Sequence, residues 1–370
     1  MKILEICPFS AGICGVWTRV LSESKEFVKL GYGVIVFSSN IEKGTGNIVS
    51  CEDEIEKIKI KRFHSKTGLI DKILSKNVTY FNFENDLRRL KPDLVITHLL
   101  HPHSFKALKI CKELSIPCYL VTHAPFNVKR GLLLDIATKF YNFIKVKTKI
   151  NQFTKVIAVT KWEVPYLLKL GVRKDKITYI PNGIPDEFFK QKKSGPIKGR
   201  DVLFLGRIAP IKGLETLILA AKQLPDINFS IVGTHEEDYL IKIKKLIKSE
   251  NIMNVKFYPP IYDLNDKIRL IDQHKIFVLS SVREAMPQVI LEAMSRGKLI
   301  ISSATDGGKE LINHKKNGFL FRIGNYDMLA KIIKENINGN KNIQKNAIQT
   351  SRKYSWSFLI KKYIKLFNEK

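Results

Sequence analysis

Cysteine is scarce in this chain: five residues in 370, an odd number, with no Cys-x-x-Cys pair and no Cys/His cluster at zinc spacing. That excludes a disulfide framework and a zinc module, so Cys7, Cys14, Cys51, Cys111 and Cys118 are read as reduced thiols, mostly buried. Long apolar runs are missing too. Nothing approaches the roughly 18 residues a membrane span needs, and no transmembrane helix is expected. The N-terminal stretch Met1-Lys2-Ile3-Leu4-Glu5-Ile6-Cys7-Pro8 carries an acid inside its short apolar run. It reads as a first core strand and not as a signal peptide, which places the protein in the cytosol. No Asp-x-Asp metal motif, low-complexity segment or internal repeat occurs. Acidic residues are few, 35 against 63 Lys and Arg, for a net charge of +28. Such a surplus raises nucleic acid, anionic membrane and acidic substrate together. It is spread over both halves with no basic tail, and no aromatic-plus-basic binding pattern accompanies it, so nucleic acid is disfavoured.

What is present is size and alternation. The length exceeds twice a usual domain, and 44% apolar with 26% charged residues is an ordinary globular balance, so two domains are expected. Short aliphatic strands are predicted at Ile3–Cys7, Val34–Phe37, Ile58–Arg62, Leu94–Thr97, Tyr119–Thr122, Val156–Val159 and Ile177–Ile180. Helices are predicted around Trp17–Leu30, Phe105–Leu114, Leu132–Tyr141 and Trp162–Leu170. Strand then helix, repeated, means a parallel doubly wound α/β sheet, whose ligands bind beyond the strand carboxyl ends. Pro181-Asn182-Gly183 breaks the pattern and reads as a hinge, and Gln191–Arg200 as an exposed basic linker. From Asp201 the alternation restarts, with strands at Val202–Leu205, Phe229–Val232, Val255–Tyr258, Ile276–Leu279 and Leu299–Ser302.

The densest chemistry follows Ile276–Leu279, in Ser280-Ser281-Val282-Arg283-Glu284-Ala285-Met286-Pro287-Gln288 and on to Glu292. Pro287 suits a first helical position, making this a strand, a loop and a helix start. Glu284 then lies on the loop, and Glu292 points back toward the helix N-terminus because helical side chains lean that way. Carboxylates accept hydrogen bonds from sugar hydroxyls, while first-turn amides near Pro287 and Gln288 suit phosphate oxygens. A ligand part sugar and part phosphate fits both; the bland alternative is a pair of solvated helix-start acids. Arg207 and Lys212, in the loop after Val202–Leu205, supply the cations a diphosphate needs. Asp306-Gly307-Gly308-Lys309-Glu310 is a further Gly-rich turn opening a helix.

In the first half, Gly12 and Gly15 flank Cys14 in the loop after the first strand, where a tight turn lets amides approach an anion. His98, His101 and His103 follow the Leu94–Thr97 strand, and a histidine there is more often a hydrogen-bonded structural residue than a catalyst. No acid or thiol is spaced to complete a metal site with them, so no metal is expected. Residues 127–150 carry Lys129, Arg130, Lys139, Lys145, Lys147 and Lys149 against Asp135, with Leu, Ile, Phe and Tyr between. The pattern suits a helix on an anionic membrane, or equally a core-packed helix with a solvated basic face. The membrane reading would make the acceptor lipid-linked.

Four segments in order carry a resemblance: Glu284 and Glu292 with Ala293-Met294; Phe204-Leu205-Gly206-Arg207 with Lys212-Gly213; Gly307-Gly308-Lys309-Glu310-Leu311-Ile312; and Asn317-Gly318-Phe319-Leu320. Together they resemble the retaining family-4 glycosyltransferases. The resemblance covers nearly the whole chain, most densely Pro181 to Phe321. It implies the GT-B fold, two Rossmann-like domains facing each other across a cleft. The domains implied are 1–183 for the acceptor, 184–354 for the nucleotide sugar, and a helix over 355–370 returning to the first. It implies a hexosyltransferase that uses a nucleoside diphosphate sugar and no cofactor; the missing Asp-x-Asp motif and the Arg207 and Lys212 pair add metal independence, and the reading of residues 127–150 adds a lipid-linked or cell-envelope glycan as acceptor and a peripheral place at the inner membrane face. Glu284 and His123 would be catalytic, Glu292 would bind ribose, and Arg207, Lys212, Gly15, Pro287 and Gln288 the diphosphate. The chain departs from the family pattern in four places: the glycines at 12 and 15 are not adjacent, Ala124 stands where an acid often follows the histidine, so that a neighbour to orient the His123 ring is missing, Ile231-Val232-Gly233-Thr234 lacks a second glycine, and Tyr258-Pro259-Pro260 has prolines where a glycine is common. A sugar-nucleotide epimerase, a phosphorylase and a non-catalytic nucleotide-sugar binding protein are the alternatives.

Overall fold

A computed structural model describes residues 1–12, 14–43, 45–65, 80–124, 146–190, 197 and 199–369. The chain divides into two units, Met1–Gly183 with Leu359–Lys370, and Ile184–Phe358.

In the first unit the elements run β1 (Lys2–Phe9), α1 (Gly15–Lys29), β2 (Gly33–Ser39), β3 (Glu52–Ile55), β4 (Ile58–Phe63), α2 (Glu84–Leu90), β5 (Leu94–His98), α3 (Pro102–Glu113), β6 (Cys118–Val121), β7 (Lys155–Ala158), α4 (Val164–Lys169) and β8 (Ile177–Tyr179). They form one sheet in the order β3-β4-β2-β1-β5-β6-β7-β8. All neighbours are parallel except β3 and β4. The central strands are buried on both faces, which is why β1 reads as a continuous apolar run and not as an alternation. Glu5 is the exception, a fully buried acid in mid-strand.

Strand β3 escapes the sequence reading because Glu52-Asp53-Glu54-Ile55 offers no apolar signal. It is an exposed edge strand, joined to β4 through Glu56 and Lys57, both at positive φ (47° and 68°), as a tight hairpin requires. The helix expected over Leu132–Tyr141, most of the basic stretch 127–150 and most of the linker 191–200 lie outside the described residues. Of those cations Lys147 and Lys149 are exposed.

The second unit runs β9 (Val202–Leu205), α5 (Leu214–Lys222), β10 (Phe229–Val232), α6 (Glu237–Ser249), β11 (Val255–Tyr258), α7 (Leu264–Asp272), β12 (Ile276–Leu279), α8 (Gln288–Ser295), β13 (Leu299–Ser303), α9 (Asp306–Leu311), β14 (Phe319–Phe321), α10 (Tyr326–Asn336) and α11 (Lys341–Arg352). The strand order is β11-β10-β9-β12-β13-β14, the doubly wound order in which the chain reverses direction between β9 and β12. Phe204, Phe229 and Phe277 are at most 1% exposed in its core, and burying such a ring contributes roughly 1.5–3 kcal/mol. Pro287 sits one residue earlier than expected, at the N-cap of α8, with φ −76° and ψ 98°. The last helix, α12 (Trp356–Asn368), starts where Trp356 donates its backbone N–H to Ile184, and belongs to the first unit from Leu359. No helix among the described residues is long and apolar enough to cross a membrane.

Candidate active site

Three loops meet beyond the carboxyl ends of β9, β12 and β13, and backbone contacts hold them together. After β9 a 3-10 turn, Pro210–Lys212, ends on Gly213, whose φ of 56° suits glycine. A Cβ on Gly213 would sit 2.7 Å from the Ser280 carbonyl oxygen, so the β9 loop can lie this close to the β12 loop only without a side chain there. Val282 donates its N–H to Ile211 at 3.0 Å, and Ser280 Oγ donates to the Lys212 carbonyl at 3.1 Å. This stitching brings Lys212 Nζ to 2.6 Å from Glu284 Oε1, which also accepts from Ser281 Oγ at 2.6 Å. Both charged side chains are mostly buried, so their attraction is screened less than a surface pair's.

The β13 loop closes the other side. Gly307 donates its N–H to the Glu284 carbonyl at 3.0 Å, and Thr305 Oγ1 caps α9 by accepting from Gly308 N–H at 3.0 Å. A Cβ on Gly307 would meet the Ala285 carbonyl at 2.7 Å and Pro287 Cδ at 2.8 Å. The Gly307-Gly308 pair is therefore what lets this loop pack under the start of α8, where Pro287 and Gln288 stand at the positive end of the helix dipole.

The other predicted residues of this unit lie in separate contacts. Glu292 is buried on α8 and its Oε1 accepts from Lys267 Nζ at 2.6 Å, while its Oε2 is buried without a hydrogen-bond partner among the described residues. Lys267, on α7, escaped the sequence reading because nothing in its local sequence marks a partner 25 residues away. Arg207 makes an exposed pair with Glu236 at 3.2 Å, of the kind that contributes little.

In the first unit the loop after β1 puts the geometric demand on Gly12, not on Gly15. Gly12 has φ 77°, and a Cβ there would fall 2.3 Å from the Lys43 carbonyl oxygen; a Cβ on Gly15, the first residue of α1, would meet nothing within 4 Å. Cys14 is the partly exposed N-cap between them.

His123 and Ala124 follow β6, both in the left-handed region at φ 58° and 48°. For residues with a Cβ that conformation costs of order 1–3 kcal/mol each and needs over-determination by the surroundings. Glu163 supplies it: its buried carboxylate accepts from Thr122 Oγ1 at 2.7 Å, Ala124 N–H at 3.1 Å, Thr160 N–H at 3.0 Å and the Val159 N–H. Burial pushes Glu163 up to about 7 against the pull of these four donors. Sequence inspection missed Glu163, although an acid just before a helix was a usable signal for a capping role.

The expectation that His123 lacks an orienting neighbour because Ala124 replaces an acid is overturned. His98, from the end of β5, places Nδ1 2.8 Å from His123 Nε2, and Glu5 Oε2 lies 2.7 Å from His98 Nε2. Two acids that local spacing did not reveal also reach His98. Donor atoms of Glu5, Glu23 and His98 all lie within 4.8 Å of one another, brought together from β1, α1 and β5. The Arg19 guanidinium, 3.2 Å from Glu23 Oε2, already supplies positive charge there, which disfavours a cation in the cluster. Burial pushes His98 down to about 4 and holds His123 well below the ordinary imidazole range. It raises Glu23 to about 7 and Glu5 well above the carboxylate range. His101 and His103 are structural. His103 Nε2 bonds the His98 carbonyl at 2.9 Å, and His101 Nδ1 caps α3 by accepting from His103 N–H.

Two family models match the chain, Glycosyl transferases group 1 over residues 186–354 and Glycosyltransferase Family 4 over residues 13–188. An uncharacterized glycosyltransferase of Haemophilus influenzae is 28% identical over 68% of this chain and 70% of its own length. The UDP-Gal:alpha-D-GlcNAc-diphosphoundecaprenol alpha-1,3-galactosyltransferase of Escherichia coli is 32% identical over 65% of each chain. Among solved structures, Anabaena Alr3699/HepE in complex with UDP and glucose is similar in fold, with a TM-score of 0.76 at 18% identity over 99% of this chain and 98% of its own.

Proposed function

The chain belongs to the glycosyltransferases of group 1 and Family 4, with two Rossmann-like units of the GT-B class, and from that premise we propose that it moves a hexose from a nucleoside diphosphate sugar to an acceptor hydroxyl, with retention of anomeric configuration and without a divalent ion. The observation that carries this reading is the Lys212–Glu284 pair, held between the ends of β9 and β12 beside the start of α8. It sets a cation, a carboxylate and a helix dipole at the switch point where such sheets bind ligands.

In this reading Lys212 and Arg207, with the amides at Pro287 and Gln288 and the loop at Gly15, take the diphosphate. The bond from the sugar's anomeric carbon to the diphosphate breaks, and a bond to the acceptor oxygen forms on the same face. Positive groups aimed at the charge developing on the leaving diphosphate supply ~3 kcal/mol or more each in a dry site, the work a metal does elsewhere. Glu284 holds sugar hydroxyls near the reacting carbon. Glu292 takes the ribose, for which its unpartnered Oε2 is the acceptor. His123 contacts the transferred sugar. Because the Escherichia coli relative is named for a diphosphoundecaprenol-linked substrate, the acceptor is assigned to the lipid-linked or cell-envelope glycans, and residues 127–150 to the membrane surface.

The test is release of nucleotide and sugar from UDP-, GDP- and ADP-sugars with and without EDTA, followed by NMR of the glycoside formed. EDTA-resistant turnover of one donor to a product of unchanged anomeric configuration is expected. Inversion, EDTA-sensitive turnover or isomerisation of the donor without acceptor would each sink the corresponding part. Flotation with anionic vesicles, lost when Lys145, Lys147 and Lys149 are changed to Glu, tests the membrane assignment.

A further inference from the structure

Three side chains from separate places in the sequence form one hydrogen-bonded line in the first unit: Glu5 on β1, His98 at the end of β5, and His123 just past β6. Each link needs one donor and one acceptor, so the proton positions along the line are correlated. When Glu5 and His98 share a proton beyond the one His98 always carries, His98 Nδ1 is an N–H. It then donates to His123 Nε2, and neutral His123 carries its own proton on Nδ1. This holds whether the shared proton rests on Glu5 or on His98 Nε2. When the pair has one proton fewer, His98 Nε2 keeps its proton for the Glu5 carboxylate, the His98–His123 bond reverses, and His123 Nδ1 becomes a bare acceptor.

Charge balance decides between the two. The titratable groups facing this line are Arg19 and Glu23 on α1, Tyr363 on α12, Cys7 on β1 and His103 on α3, of which Arg19, Glu23 and Tyr363 are in hydrogen-bond contact with one another. Arg19 is the fixed cation. Glu23 accepts from it at 3.2 Å and from Tyr363 at 2.8 Å, so of the two buried acids Glu23 ionises first. Glu23 Oε1 is 3.6 Å from His98 Nε2, too far to compete with Glu5. A second negative charge on Glu5, fully buried and without its own cation, would go uncompensated. The Glu5–His98 pair therefore keeps its extra proton, in agreement with the upward push of burial on Glu5.

We propose that Glu5 and His98 are positioning residues for His123: the line locks the imidazole in its Nδ1–H form, so that the ring presents a hydrogen-bond donor to an oxygen of the sugar. With Nε2 taken by His98, Nδ1 is the ring's remaining polar atom, and Glu163 holds the backbone that aims it. The ligand half of this inference rests on the assignment of His123 to the transferred sugar; the lock itself does not.

Proton–nitrogen NMR correlation on ligand-free protein labelled at histidine reads the tautomer, with His123 assigned by the signal lost in His123→Ala. The expected result is a proton on Nδ1; a proton on Nε2 in the unsubstituted protein overturns the proposal whatever the enzyme does. His98→Phe keeps a ring but no donor. It is expected to leave His123 as a mixture of tautomers and to lower kcat about tenfold with KM changed less. A single Nδ1–H form with unchanged kcat in His98→Phe would equally overturn it. An Nδ1–H signal combined with full turnover by His123→Ala would instead remove the sugar contact from the functional reading, with the lock untouched.

Discussion

Lys212 Nζ and Glu284 Oε1 lie 2.6 Å apart although 72 residues separate them in the chain. The pairing exists because β9 and β12 are neighbours in the sheet and the loops beyond them are tied by Gly213, Ser280 and Val282. If this pair is the centre of the donor site, Glu284→Ala abolishes turnover while nucleotide affinity falls only severalfold, and Lys212→Ala lowers kcat about 100-fold or more. Steady-state kinetics and titration calorimetry separate the two effects. Unchanged turnover in Glu284→Ala would end its assignment.

Gly307→Ala is expected to damage stability and binding together. Its methyl group would overlap the Ala285 carbonyl and Pro287 Cδ, so the β12 loop or α9 must move. Forced repacking of this kind costs about 1–3 kcal/mol. A lower Tm with weaker nucleotide binding is the expected pair of results, and a variant with the original Tm would show that the loop yields freely.

Glu163→Ala leaves up to four buried donors without their acceptor. The expected loss is about 3 kcal/mol or more in chemical denaturation. Turnover should fall even where the variant is folded, because His123 and Ala124 lose the group that holds their left-handed backbone.

Acid should weaken the second unit through His274. Burial holds this imidazole near 4 in the folded chain, well below its ordinary 6.5. The unfolded chain therefore binds a proton that the folded chain refuses. Its contribution is complete above about pH 6.5 and is lost as pH falls toward 4, by up to about 3 kcal/mol. His274→Asn, which keeps a donor for the Leu270 carbonyl, should show a shallower loss of stability than the parent between pH 6.5 and 4. Parallel curves for the two proteins would contradict this.

Much of the fold was legible because parallel central strands are local apolar runs and the helices between them carry their own periodicity. Strand β3 was not, since its four residues are mostly charged and owe their conformation to pairing with β4. In the candidate site, Lys212 and Glu284 were each named from their loops, and Lys267 and Glu163 were not. Lys267 acts on a group 25 residues away, of which a lysine on a helix carries no local mark; Glu163 precedes its helix, a local sign of its bonds to Val159 and Thr160 but not of those to Thr122 and Ala124.

The sequence by itself determined the class of protein: two alternating α/β halves, a break in the pattern at Pro181-Asn182-Gly183, and a strand–loop–helix with acids at 284 and 292. Those are properties of short segments, set by side-chain periodicity and turn chemistry. Tertiary structure alone decided which charges meet. Glu5 reads as an oddity in a core strand, and Ala124 as a missing neighbour for His123. Only the adjacency of β1, β5 and β6 shows that the acid reaches the imidazole through His98. Strand order, not chain distance, fixes which side chains are buried together, and there the low local dielectric makes each proton's position depend on the others.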